Sequence, residues 1–154
     1  MMRVCIGGTF DILHEGHKLL IKKAFETAGV DGLVFFGIST GALLKEKNHV
    51  KSYKERKKMI EQHIINENYA SKVIIQPIHD KYGPSIDGNF DAIIVSPETF
   101  NTALEINNKR KKIGKKSLKI IKILYVLAED EKPISSTRIK NKEIDEEGKL
   151  LLRD

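Results

Sequence analysis

The sequence predicts an α/β fold: a doubly wound domain around a five-stranded, mainly parallel sheet. Three features carry that expectation. Short, almost wholly apolar runs recur at residues 3–6, 33–38, 72–76, 92–95 and 119–127. Helically spaced apolar residues fill several intervals between them, and glycine, serine or proline follows each of the first four runs. A strand covered on both faces is apolar throughout rather than alternating, which is the condition inside a parallel sheet packed between helices.

Taken in order, residues 3–6 read as a buried strand reaching a tight turn at Gly7-Gly8. A helix follows over residues 16–28, with Leu19, Leu20, Ala24 and Phe25 at helical spacing and Gly29 as its stop. The second strand, 33–38, closes at Ser39-Thr40-Gly41. Residues 53–65 form a charged amphipathic helix that directs Met59, Ile60, Ile64 and Ile65 to the core. The third strand, 72–76, ends at Pro77. The fourth, 92–95, leads through Ser96-Pro97 into a helix reaching about Lys112. Residues 119–127 supply the fifth strand, and Ile134-Ser135-Ser136-Thr137 starts a last helix with hydroxyls available as N-caps. No repeat, low-complexity segment or linker interrupts the chain, so residues 1–154 are expected to form a single domain.

Composition narrows the function classes. Hydrophobic residues make up 40% and charged residues 31%, as in a soluble globular protein. No apolar run approaches the ~20 residues of a membrane span, and the N-terminus reads as a strand rather than a secretory leader, so the expected setting is the cytoplasm, without a membrane partner. A single cysteine excludes an internal disulfide and a cysteine-rich zinc site; within the first strand, Cys5 is expected to be a buried small hydrophobe. The net charge is +6, with basic residues densest at Lys109, Arg110, Lys111, Lys112, Lys115 and Lys116. That run reads as a solvated helix end before a turn at Gly114. It lacks the aromatics of a nucleic-acid surface, so no nucleic-acid partner is expected, although the charge would attract phosphate-rich substrates.

In a parallel sheet of this kind, ligands bind beyond the carboxyl ends of the strands, where strand order switches. The segment after the first strand is Gly7-Gly8-Thr9-Phe10-Asp11-Ile12-Leu13-His14-Glu15-Gly16-His17. Glycines at a strand end let backbone amides approach a phosphate. His14 and His17 are three apart, so one helical turn presents both imidazoles to the same space, near helix N-terminal amides that also attract anions. Imidazole donors suit a pentacoordinate phosphorus, although two histidines at this spacing are also compatible with a metal. The segment is neither a Walker loop nor a dinucleotide fingerprint, since both glycine patterns are absent.

Gly8-Thr9-Phe10-Asp11 followed by His14-Glu15-Gly16-His17 resembles the signature of the nucleotidyltransferase superfamily with the His-x-Gly-His motif, a Rossmann-like fold. Ile134-Ser135-Ser136-Thr137-Arg138 resembles its C-terminal Ser/Thr-rich motif. Further segments are similar to the archaeal and eukaryotic type of pantetheine-phosphate adenylyltransferase. They are Ile38-Ser39-Thr40 through Leu44-Lys45-Glu46-Lys47, Ser52-Tyr53-Lys54-Glu55-Arg56, Val95-Ser96-Pro97-Glu98-Thr99 with Ile106-Asn107 and Arg110, and Glu143-Ile144-Asp145. The sequence departs from that type at Thr40-Gly41 and at Asn141-Lys142. It also carries Ser96-Pro97-Glu98-Thr99 where bacterial forms have an arginine-rich loop.

The resemblance implies adenylyl transfer from ATP to 4′-phosphopantetheine, giving dephospho-coenzyme A and pyrophosphate. The nearest alternative is cytidylyl or adenylyl transfer to another phosphate, such as glycerol phosphate or flavin mononucleotide. It implies His17, Thr9 and Lys45 as catalytic residues, with Lys47 as the alternative lysine. Nucleotide contacts would come from Gly8, Phe10, Asp11, His14, Gly16, His17, Ser135, Ser136, Thr137 and Arg138, and acceptor contacts from Thr9, Lys45 and Arg110. Mg²⁺ would arrive with ATP, held mainly by its phosphates, with no metal-ligating residues assigned in the protein. The expected assembly is a monomer or a small homo-oligomer.

Overall fold

The computed structural model describes residues 1–47 and 49–151. Its sheet contains β1 (Arg3–Gly8), β2 (Leu33–Ser39), β3 (Lys72–Ile78), β4 (Ala92–Val95) and β5 (Lys119–Lys122). They lie in the order β3-β2-β1-β4-β5, and every pairing is parallel. The helices are α1 (Glu15–Ala28), α2 (Tyr53–Asn66), α3 (Phe100–Lys112) and the short α4 (Ser136–Lys140).

Two apolar clusters sandwich the sheet, and strand alternation assigns residues to them. Val4 and Ile6 of β1 join Val34, Phe36 and Ile94 against Leu20, Ile21, Ala24 and Phe25 of α1 and Ile60 of α2. Cys5, Phe35, Ile93 and Val95 point the other way, onto Ala103 and Ile106 of α3 and onto Leu118. With both faces buried, every position of the central strands has to be apolar, which is why they read as continuous runs. Cys5 is only 2% exposed, and burial pushes its thiol up to about 12.

Three elements differ from the sequence expectation. Strand β3 continues through Pro77 to Ile78, with Ile38 opposite Pro77. It is an edge strand, so a missing N–H on its outer side breaks no ladder bond. Strand β5 is shorter than expected. Ile123 N–H still donates to the Val95 carbonyl at 2.9 Å, but Leu124 is 77% exposed and the chain turns away toward the cavity. In α2, Ile60 is buried whereas Ile65 is 65% exposed, and the polar Arg56 takes a fully buried position instead.

The order switches between β1 and β4: β2 and β3 extend to one side, β5 to the other. The carboxyl ends of these two strands therefore open a crevice.

Candidate active site

The loop leaving β1 bends at Phe10, whose φ of 50° lies in the left-handed region and whose ring is fully buried. His14 then caps α1: its Nδ1 accepts the amides of Gly16 at 3.0 Å and His17 at 3.4 Å. Glycine is required at 16, because a Cβ there would lie 2.8 Å from His14 Cε1. The His17 Nδ1–H donates to the Ile12 carbonyl at 2.6 Å, and the two imidazoles stack with centroids 3.9 Å apart.

These bonds fix opposite tautomers. Since His14 accepts at Nδ1, its neutral ring carries the proton on Nε2 and is already a donor there. His17 spends its Nδ1 proton on Ile12, so its Nε2 becomes a donor only when the ring is protonated. Burial, and then the neighbouring His17, push His14 down to about 3. Burial pushes His17 down to about 4, with the Lys47 charge adding to that and the Ile12 bond and Asp11 opposing it. An anion entering the site favours the charged rings and moves both upward.

Thr9 faces the same space, and the Lys47 Nζ donates to its Oγ1 at 2.9 Å. Lys45 does not take that place. It caps the short 3-10 helix Gly41–Leu44, is exposed, and does not line the cavity, whereas Lys47 does.

Two residues outside the expected set hold the loop in place. Arg56 is 2% exposed and donates to the carbonyls of Thr9 at 2.9 Å, Ser39 at 2.7 Å and Lys51 at 2.8 Å. Lys51 donates its backbone amide to Asp11 Oδ1 at 2.9 Å and its Nζ to the Asp11 carbonyl at 3.2 Å. The other Asp11 oxygen pairs with Lys140. Asp11 therefore has both carboxylate oxygens on protein donors. Asp11 belongs to the motif itself, Arg56 stood in the Tyr-x-Glu-Arg segment, and Lys51 carried no cue.

Across the cavity, Ser135 caps α4 by accepting the Arg138 amide at 3.2 Å, while Ser136 and Thr137 line the wall. The Arg138 side chain is engaged within its own chain. Its guanidinium donates to Glu143 at 2.9 Å, to Asp130, and to the Pro133 carbonyl at 3.0 Å, and it lies outside the lining. Hydrogen bonding to those two carboxylates raises its already high pKa. Arg110 is likewise committed elsewhere. It is 3% exposed and donates to the carbonyls of Ser85 and Gly88 at 2.9 Å and of Lys116 at 2.8 Å. It therefore staples α3 to the segment after β3. Ser96, Glu98 and Thr99, at the β4 end of the crevice, do line the cavity.

The cavity measures about 800 Å³ and runs from Gly8, Thr9, His14 and His17 to Ser136 and Thr137, with an arm toward Tyr82 and Ser85. Among the described residues, no group of three or more His, Cys, Asp or Glu is gathered as a metal cage. No helix among them is long and apolar enough to cross a membrane.

A switch-point crevice floored by a glycine-histidine loop is the architecture of the nucleotidyltransferases, and residues 5–142 match the cytidylyltransferase-like family. The chain belongs, within that class, to the phosphopantetheine adenylyltransferase family. It is 46% identical over 151 residues to a phosphopantetheine adenylyltransferase from Methanosarcina mazei, covering 97% of each chain. It is 38% identical over 151 residues to the one from Archaeoglobus fulgidus, covering 97% of this chain and 100% of that one. A crystal structure of an Archaeoglobus fulgidus protein of unknown function is similar with a TM-score of 0.70 and 32% identity, over 79% of this chain and 89% of that one.

Proposed function

We propose that this protein transfers the adenylyl group of ATP to 4′-phosphopantetheine, forming dephospho-coenzyme A and pyrophosphate, as the names of its relatives indicate for them. The observation that carries the reading is the placement of donors at two ends of one cavity. Lys47, Thr9 and the stacked histidines stand at one end, and the hydroxyls of Ser136 and Thr137 at the other.

The acceptor is itself a phosphate, anionic near neutral pH, so its oxygen needs no general base to attack the α-phosphorus. The new bond forms from that oxygen, and the bond from the α-phosphorus to the bridging oxygen of the pyrophosphate breaks. Little covalent chemistry remains for the protein, and alignment and charge stabilisation supply the rate. In this reading Thr9 and Lys47 orient the acceptor phosphate and offset its repulsion from ATP. His14 donates from Nε2 as a neutral ring, and His17, protonated in the field of the phosphates, donates to the transferring group. Ser136 and Thr137 hold the departing pyrophosphate, with Mg²⁺ entering as part of the ATP complex through phosphate oxygens. Such an enzyme would work in the cytoplasm.

Incubation with Mg-ATP and 4′-phosphopantetheine tests this: dephospho-coenzyme A should form in step with pyrophosphate. Pyrophosphate without the coupled product, or no turnover at all, would reject it.

A further inference from the structure

The two halves of the phosphate site come from opposite ends of the chain. The loop after β1 is bound into the sheet core, with Phe10 fully buried and Arg56 on the Thr9 carbonyl. The hydroxyl segment instead sits on a separate small core of Ala128, Ile134 and Ile144, packed with Val126 and Ile139. Its own bonds are local: Ile134 N–H to the Val126 carbonyl, Ala128 N–H to the Lys132 carbonyl, and the Arg138 staple to Asp130 and Glu143. Something has to set the distance between these two bodies, because misplacing groups of a reacting site by about 1 Å can cost about 10² in rate.

The ion pair between Asp11 and Lys140 spans that gap. Asp11 is 3% exposed and anchored from below by the Lys51 amide, whereas the Lys140 side chain is 30% exposed and arises from the last residue of α4. Burial alone would raise the Asp11 carboxyl. Hydrogen bonds from Lys140 and the Lys51 amide, with the charges of both lysines, more than offset that and hold it below the usual carboxylate range. An anchored, nearly buried carboxylate is a fixed point, and a lysine drawn to it fixes the helix that carries the lysine.

Resting on the proposed adenylyl transfer, we infer that Lys140 is a positioning residue, acting through Asp11 to hold Ser136 and Thr137 at the correct distance from the histidine loop. The pair carries that role, although Lys140 also lines the cavity beside Ser136 and Thr137.

A double-mutant cycle of Asp11→Asn and Lys140→Met in the full chain tests this, with Mg-ATP affinity measured by direct titration and kcat and both KM values by pyrophosphate release. Each single variant should weaken ATP binding by about tenfold, and the double should be no weaker than the worse single. Lys140→Arg should restore most of the affinity, and the acceptor KM should stay within about twofold. Additive losses would overturn the inference, as would a loss with Lys140→Met that Asp11→Asn does not share, since a direct phosphate ligand behaves that way. If Asp11→Asn does not fold, Asp11→Glu takes its place in the same cycle with Lys140→Met, and additive losses again overturn the inference. The binding arm does not depend on the acceptor, so an inactive acceptor with an intact cycle would reject the proposed function and leave the coupling standing.

Discussion

The Lys47 Nζ lies 2.9 Å from the Thr9 Oγ1, joining the segment after β2 to the loop after β1 at the mouth of the crevice. Lys45, two residues earlier, does not line the cavity. Lys47→Ala should therefore lower kcat/KM by about 10²–10³, the range for loss of one charge-stabilising donor. Lys45→Ala should change it by less than about twofold. Steady-state kinetics with saturating ATP and varied acceptor check this, and the reverse ranking would return the role to Lys45.

The histidine pair gives a pH signature. Both rings fall below the ordinary histidine value of 6.5, to about 3 for His14 and about 4 for His17. Between pH 6.5 and about 4 the unfolded chain holds protons that the folded rings refuse. Stability of the ligand-free protein should therefore be fully present above that window and fall as pH drops through it. In the His14→Gln, His17→Gln variant, urea unfolding should depend less steeply on pH over the same range. A slope equal to that of the unaltered protein would contradict the depressed values.

His17 is also expected to matter for rate more than for binding. His17→Ala should reduce turnover by about 10²–10³, as for other lost transition-state donors, while ATP affinity changes by less than about fivefold. Near-normal turnover would remove His17 from the mechanism.

Arg110 separates fold from site. Its guanidinium satisfies the Ser85, Gly88 and Lys116 carbonyls out of contact with water. Arg110→Met should cost about 3 kcal/mol of stability, read as a shift in urea midpoint, with acceptor KM unchanged in the folded fraction. A raised acceptor KM at unchanged stability would restore the role read from the sequence.

Much of this was legible in the sequence, for reasons that also explain the rest. The five strands were visible because burial on both faces forces runs such as Leu33 to Ile38 to be apolar. The histidine loop was visible because a cap at His14 needs glycine at 16 and sets His17 one turn on. The ends of β3 and β5 were not, because an edge strand tolerates Pro77 and because residues 123–127 stay apolar after leaving the ladder. The arginines could not be placed from the sequence. A guanidinium reaches far enough to serve a phosphate or a set of carbonyls, and only the fold reveals that Arg110 and Arg138 serve their own chain. The choice between Lys45 and Lys47 depends on one turn of 3-10 helix, which periodicity does not encode.

The most direct test is an acceptor panel: pyrophosphate release from Mg-ATP and Mg-CTP, each offered 4′-phosphopantetheine, glycerol phosphate and flavin mononucleotide. The proposed function requires kcat/KM for ATP with 4′-phosphopantetheine to exceed every other pairing by at least about 10², a margin within reach of a site that reads polar groups. Preference for CTP, or for either other acceptor, would contradict it.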